Sequence, residues 1–367
     1  MSVRFPTRGD AITPALLTEL ISATYPGVSV AECRLVQEWT YGTGAVSAAA
    51  RVALEVRYAA AAAAADLPTR LVVKIDRASN SPYPIYANEV EVYSRLRPSG
   101  IIEAPVFLGG CFDTESGALG LILEDLSERG ATFPDVLGTT GVDHVRAVIG
   151  QLAKLHATFW NSPRLASDLG WMQSHVAGPI HALYSDPDKR PAVIARELET
   201  MQFKREMVQR LGTTIGEMAR LTGLAHRHQA TLPQTVCHGD AHLGNTYALP
   251  DGSVGLIDWQ LCVRGSCMHD LSYLLATALP IADRRAHERE LLGYYAQRLR
   301  AGGVAEVPDA EWLWREYRRA ALWGVYIGWL TTPVVNYGWE ITVGNLLRVT
   351  TAVEDLGTLA ELRALFA

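Results

Sequence analysis

Three polar residues, Asp240, Asn245 and Asp258, each follow an apolar run. Asp240 and Asn245 lie in Thr235-Val-Cys-His-Gly-Asp-Ala-His-Leu-Gly-Asn245, and Asp258 ends Val254-Gly-Leu-Ile-Asp258, 18 residues after Asp240. Between the two runs, Pro250-Asp-Gly252 is a turn signal that folds one segment back beside the other. Phosphoryl transfer from a nucleotide needs one carboxylate to orient or deprotonate the attacking hydroxyl. It also needs a second carboxylate and an amide to hold the magnesium that bridges the phosphates. Asp240 suits the first task, and Asn245 with Asp258 suits the second. Asp and Asn populate turns for purely local reasons, but three at this spacing, each after an apolar strand, point to chemistry.

Lys74 interrupts the apolar run Leu71-Val-Val-Lys-Ile75. An unpaired ammonium there would be costly to desolvate, so an anionic partner is expected. Glu89 is the choice, because Val92 and Tyr93 at one-turn spacing mark the packed face of its helix. Glu91 is turned about 200° away from Glu89. A lysine held this way can also reach nucleotide phosphates, and the loop Tyr41-Gly-Thr-Gly-Ala-Val-Ser47, with Gly42, Thr43, Gly44 and Ser47, is placed to cover them.

These residues must be positioned by two different textures of chain. The first third reads as strands: Ser29 to Trp39, Arg51 to Arg57, Leu71 to Ile75 and Gly120 to Leu126, with helices at Thr13 to Thr24 and Asn88 to Leu96. The seven alanines Ala59 to Ala65 read as a surface connection. The remainder reads as helices, led by Val142 to Trp160 with Val145, Val148, Ile149, Leu152 and Leu155 on one stripe, around the strand-and-loop island that carries Asp240. The expected division is therefore a nucleotide-binding lobe at 1–126 and a catalytic, acceptor-binding lobe at 127–367, in an α+β class.

Length and composition agree. The chain has 367 residues, 49% hydrophobic and 20% charged, which suits a two-lobed globular protein rather than a single small module or a disordered chain. A formal charge of -6 provides no overall positive field for a nucleic acid backbone. The five cysteines lack C-x-x-C spacing and read as reduced thiols. No secretory leader is visible at Met1, and the apolar stretch from Gly324 to Val335 is broken by Gly and Pro and too short to span a bilayer. A cytoplasmic protein without nucleic acid or membrane partners is expected, its oligomeric state left open.

Taken in order, the glycine loop at 42–47, Leu71-Val-Val-Lys74, Asn88-Glu-Val-Glu-Val-Tyr93, Leu121-Ile-Leu-Glu-Asp-Leu126, Leu152-Ala-Lys-Leu-His156, His238-Gly-Asp240 through Asn245, and Leu256-Ile-Asp-Trp259 resemble the aminoglycoside phosphotransferase and choline/ecdysteroid kinase-like superfamily. The resemblance covers about residues 35–280. It implies a protein-kinase-like two-lobed fold, with a small N-terminal β-sheet lobe and a larger, mainly helical C-terminal lobe. It implies Asp240 as catalytic base, Asn245 and Asp258 as Mg2+ ligands, Lys74 as the lysine on the phosphates of ATP (or GTP) and Glu89 as its partner. Glu124 to Leu126 becomes the hinge whose backbone meets adenine. Gly239 stands where protein kinases carry Arg, and Trp259-Gln260 where they carry Phe-Gly, so a small-molecule hydroxyl acceptor is expected rather than a protein.

Other polar residues have plainer roles. His156 reads as a packing histidine and His238 as an orienter of the loop by hydrogen bonds. Asp270, opening a helix, reads as an N-cap or as a hydrogen-bond acceptor for the loop backbone. Two further classes compete. In an NAD(P)-binding oxidoreductase, Gly42-Thr-Gly44 would open a dinucleotide unit, but Ser47 replaces the third glycine and Asp76 lies 29 residues on, against about 20 expected. A metal-dependent hydrolase would use His238, Asp240, His242, Asp258 and His269 and leaves Lys74 and Glu89 unexplained. A nucleotide-binding protein without activity is the third possibility, opposed by the intact Asp240, Asn245 and Asp258 set. Acceptor contacts are expected in 160–230 and 305–345. There Glu306, Asp309, Glu311, Glu316 and Glu340 are offset by Arg315, Arg318 and Arg319, and five tryptophans cluster from Trp312 to Trp339, most of them expected in the core. That balance favours a neutral or partly apolar acceptor.

Overall fold

The structure is a computed structural model describing residues 5–39, 49–59, 66–76, 84–113, 117–138, 140–186 and 188–366. The glycine loop with Gly42, Thr43, Gly44 and Ser47 lies outside the described residues, as do 60–65 of the alanine run. The chain divides into two compact units: Met1–Thr132 with Ala248–Gly252, and Phe133–Tyr247 with Ser253–Ala367.

In the first unit, β1 (Val30–Trp39), β2 (Ala49–Tyr58), β3 (Arg70–Asp76), β4 (Phe107–Phe112) and β5 (Leu119–Glu124) form an antiparallel sheet in the order β1-β2-β3-β5-β4. Strand residues alternate between faces. Leu71, Val73 and Ile75 therefore enter one core with Leu17, Leu20 and Ile21 of α1 (Pro14–Thr24). Thr13 caps that helix by accepting from Leu16 N. Lys74, in register with Arg51 on one side and Leu121 on the other, points to the opposite face of a central strand. β4 lies outside the strands expected from the sequence, because its alternation is broken at Gly109 and Gly110. A Cβ at 109 would lie 2.6 Å from the Leu20 carbonyl oxygen, so glycine is what lets α1 close on the sheet. α2 runs Pro84–Arg95, starting four residues earlier than its apolar spacing suggests.

The second unit is built on α3 (Val142–Phe159), whose Val145, Val148, Ile149, Leu152 and Leu155 are fully buried. α4 to α7 follow (Gly178–Tyr184, Lys189–Thr200, Gln202–Arg210, Ile215–Gln229). Next come β6 (Thr235–Cys237), β7 (Thr246–Ala248), β8 (Val254–Leu256) and β9 (Val263–Gly265), with β6 paired to β9 and β7 to β8. α8 (Met268–Ala278), α9 (Ile281–Ala301), α10 (Ala310–Ala320), α11 (Val334–Tyr337), α12 (Trp339–Asp355) and α13 (Thr358–Leu365) complete it. Between α10 and α11, residues Gly324–Trp329 widen into a π-helical turn closed by Leu330 N donating to Val325 O at 3.0 Å. The Lys204 ammonium, fully buried, donates to the Leu330 and Thr332 carbonyls and to Glu197. Trp323 and Trp329 are core residues, whereas Trp339 is 56% exposed. Among the described residues, no helix is long and apolar enough to cross a membrane.

Candidate active site

In the first unit, Lys74 Nζ lies 2.7 Å from Glu89 Oε2, with both side chains buried. Glu89 shares the packed face of α2 with Val92 and Tyr93, while Glu91 is half-exposed and pairs with Arg95 on its own helix. Breaking one member of such a pair would strand the other charge in the interior. Glu124 is spent structurally: Oε1 accepts from Val106 N at 2.9 Å and from Arg129 at 3.1 Å. The backbone N–H groups of Glu124 and Asp125 donate to the Val106 and Arg70 carbonyls, and Leu126 begins a short 3-10 turn.

In the second unit, the strand-and-loop island converges as its spacing suggests. β6 delivers the chain into His238-Gly-Asp240, and a 3-10 turn, Leu243–Asn245, follows. Asn245 Nδ2 donates to Asp240 Oδ2 at 3.2 Å and to its carbonyl at 3.0 Å. Ile257 N donates to Asn245 O at 3.0 Å, which sets residue 258 beside the 240–245 loop. Asp258 adopts φ 63°, ψ 63°, one of two non-glycine residues with positive φ among those described. A non-glycine residue pays for this conformation, and such strain concentrates at working sites. Asp240 keeps 21% side-chain exposure. The protein packed around it and the neighbouring Asp258 charge push its carboxyl above the ordinary aspartate value, against His242, His238 and Asn245.

Histidines and one carboxylate hold this loop. Asp270 accepts from His238 N (2.7 Å), Gly239 N (2.8 Å) and His156 Nε2 (3.1 Å). Burial would raise its pKa, but the His156 hydrogen bond and the surrounding imidazoles outweigh it, so the group stays below the ordinary aspartate value. The N-cap expectation for Asp270 is corrected: α8 starts at Met268 with Cys267 at its cap, and Asp270 sits in the first turn as an acceptor for the loop backbone. His156 packs in the interior as expected and also bridges Asp270 to Tyr295. His238 Nε2 donates to Ile257 O at 3.0 Å while Nδ1 accepts from Asp240 N at 3.2 Å, an assignment that requires the neutral ring. Burial lowers its pKa accordingly. Both of its nitrogens are engaged, so the hydrolase ligand set loses its first member. His269 Nε2 donates to Gly239 O at 3.1 Å. Gly239 has φ 85°, and a Cβ there would sit 1.8 Å from the Leu261 carbonyl oxygen. No side chain fits at this position.

Aromatic side chains lie within electrostatic reach of Asp240. Burial and the Asp240 charge raise the Tyr184 and Tyr273 hydroxyl pKa values. Tyr184 meets Trp323 edge-on at 5.4 Å and carries the Arg190 guanidinium over its ring at 5.0 Å. Tyr184 and Arg190 carry no signal in the sequence, because nothing local distinguishes them from ordinary helix residues.

The sequence model of the phosphotransferase enzyme family matches residues 57–323. The structure is similar to choline kinase from Cryptosporidium parvum Iowa II, with a TM-score of 0.54 and 13% identity over 93% of this chain and 94% of that one. It also resembles a choline/ethanolamine kinase family protein from Mesorhizobium loti (TM-score 0.48, 16% identity, 96% of each chain). A third match is a spectinomycin phosphotransferase solved with ADP and spectinomycin (TM-score 0.46, 13% identity, 97% and 95%). No curated protein sequence matches significantly. The five-stranded antiparallel sheet followed by a mainly helical region is the protein-kinase-like fold, and the chain belongs to the phosphotransferase enzyme family of small-molecule kinases.

Proposed function

We propose that the protein transfers the γ-phosphoryl group of ATP, with GTP as the alternative donor, to a hydroxyl of a small neutral or partly apolar acceptor. The observation that carries this reading is the convergence of Asp240, Asn245 and Asp258 through the Asn245 amide and the Ile257–Asn245 backbone bond. Asp240 accepts the hydrogen bond of the acceptor hydroxyl, orients it toward the γ-phosphorus and takes its proton as the new P–O bond forms and the bond to the β,γ-bridging oxygen breaks, releasing the nucleoside diphosphate. Its raised pKa makes it a better base than a solvated aspartate. The Asn245 amide, donating to Asp240 through Nδ2, keeps Oδ1 as its acceptor atom; with the Asp258 carboxylate it offers the hard oxygen donors that magnesium prefers. Magnesium, when bound there, would neutralise charge on the phosphates. Lys74, held by Glu89, is assigned to the phosphates as well. With the Glu124 and Asp125 amides engaged in the sheet, the Leu126 N–H is the donor assigned to adenine.

What lies near Asp240 supports the acceptor class. Tyr184 and Tyr273, both within reach of the Asp240 charge, offer apolar rings, with the Arg190 guanidinium over Tyr184, surroundings that suit a neutral or partly apolar molecule. Two of the acids in this region are engaged elsewhere: Glu316 pairs with His228, Arg315 and Arg319, and Asp309 caps α10. The test is phosphoryl transfer from magnesium-ATP to a mixed panel of alcohols, sugars, steroids, macrolides, aminoglycosides and hydroxyacyl thioesters, read by mass spectrometry. Product should appear on neutral or partly apolar members and vanish in Asp240→Asn. Product confined to polycations would overturn the acceptor class, and turnover undiminished in Asp240→Asn would overturn the mechanism.

A further inference from the structure

Behind the 238–245 loop, three buried imidazoles from three separate elements face one another: His175 in the loop before α4, His226 on α7 and His269 on α8. One ring nitrogen from each lies within 4.8 Å of the other two. His269 donates its Nε2–H to Gly239 O, so in the neutral ring Nδ1 carries a lone pair, and that Nδ1 is buried without a hydrogen-bond partner. His226 Nδ1 is likewise buried and unpartnered. An orphaned imidazole nitrogen costs free energy in a dry interior unless something satisfies it.

We propose that His175, His226 and His269 form a binding site for a borderline divalent transition ion, zinc foremost, separate from the oxygen donors assigned to magnesium. Imidazole nitrogen selects zinc, cobalt, nickel or copper over magnesium. A tetrahedral zinc with Zn–N near 2.0–2.1 Å needs nitrogens about 3.4 Å apart, against up to 4.8 Å here, and the His175 and His226 rings, stacked at 4.5 Å and 15°, would have to tilt toward each other for both lone pairs to converge on the ion. His269 already has the outer-shell arrangement of a metal ligand, its distal N–H on a backbone carbonyl. The 173–175 loop is pinned by Arg264 N on Gln173 O (2.9 Å) and by His181 Nδ1 on His175 O (2.8 Å), which presents His175 to the cluster. All three rings are neutral near pH 7: burial lowers the pKa of each, that of His226 to about 3, so no proton must be displaced. Trp323 packs 4.8 to 5.3 Å from every ring and shields the site.

A second cluster, His156, Cys237 and Asp270, has the right ligand types. It is saturated, however: both His156 nitrogens and both Asp270 oxygens are already engaged. The occupied His269 site would instead fix Gly239, and through it the Asp240 loop, from behind.

The test uses tag-free, metal-stripped protein without nucleotide, in excess magnesium, titrated with zinc by calorimetry and checked by elemental analysis. One zinc per chain should bind. His226→Gln and His175→Gln should weaken it by more than the ~10–100-fold that losing an outer-shell partner costs, while circular dichroism stays native. Cobalt in the wild-type protein should give the intense visible bands of a tetrahedral site, which keeps the proposal testable if either variant fails to fold. No zinc binding, binding unchanged in His175→Gln, or only weak octahedral cobalt bands would overturn it. Because nucleotide is absent, failure here leaves the kinase reading untouched.

Discussion

Asp270→Ala removes the acceptor for two buried backbone N–H groups, His238 and Gly239, and for His156 Nε2. Each backbone donor left without a partner costs about 1–3 kcal/mol, and hydrogen bonds to a charged group lie at the upper end. The expected loss is therefore about 3–5 kcal/mol. For a unit of about 230 residues, each kcal/mol shifts Tm by roughly 2–4 °C, which gives a fall of roughly 6–20 °C in calorimetry at pH 7. Asp270→Asn keeps one acceptor oxygen and should lose about half as much. Because the Asp270 pKa is depressed in the native state, its contribution is present above the unfolded aspartate value near 3.9 and is lost as pH falls through the lower native value. An Asp270→Ala protein melting within ~2 °C of wild type would refute the claim that this carboxylate clamps the loop.

Lys74→Ala and Glu89→Ala should each impair turnover, and the double variant should lose less than the product of the two, whereas Glu91→Ala should be near neutral; a multiplicative cycle would deny the coupling. Gly239→Ala should cost about 3 kcal/mol or more, since it combines a disfavoured φ with a backbone clash, and a wild-type melting curve would contradict that. His226, buried beside His269, His181 and Arg227, is neutral when folded and protonates near 6.5 when unfolded, so it costs stability as pH falls below that value. At pH 5 the cost is about 2 kcal/mol, and chelator-treated His226→Gln should lose correspondingly less between pH 7 and pH 5 than wild type.

The site was legible where its chemistry is local in sequence. Asp240, Asn245 and Asp258 sit on adjoining runs joined by a turn, and Lys74 stands out because a charge inside an apolar strand demands a partner that helical phase then selects. What escaped depends on distant approach. β4 lost its alternation at Gly109, where α1 comes close. The His175, His226 and His269 cluster joins a loop and two helices that share no motif. For Asp270 the sequence left an N-cap and an acceptor for the loop backbone both open, and only the packing of α8 on a loop some 30 residues upstream selects the second. Within the π-helical turn at Gly324–Trp329, Gly324 and Gly328 pack closely against Tyr273, a contact that no periodicity announces.

The central claim, a metal-assisted phosphoryl donor site with Asp240 as base, is tested most directly by calorimetric titration of ATP with and without magnesium into wild type, Asp240→Asn and Asp258→Asn. Wild type and Asp240→Asn should bind magnesium-ATP with similar affinity while only the latter loses turnover, and Asp258→Asn should lose the magnesium-dependent part of binding. Equal loss of nucleotide affinity in both variants, or no nucleotide binding by folded wild type, would contradict the account.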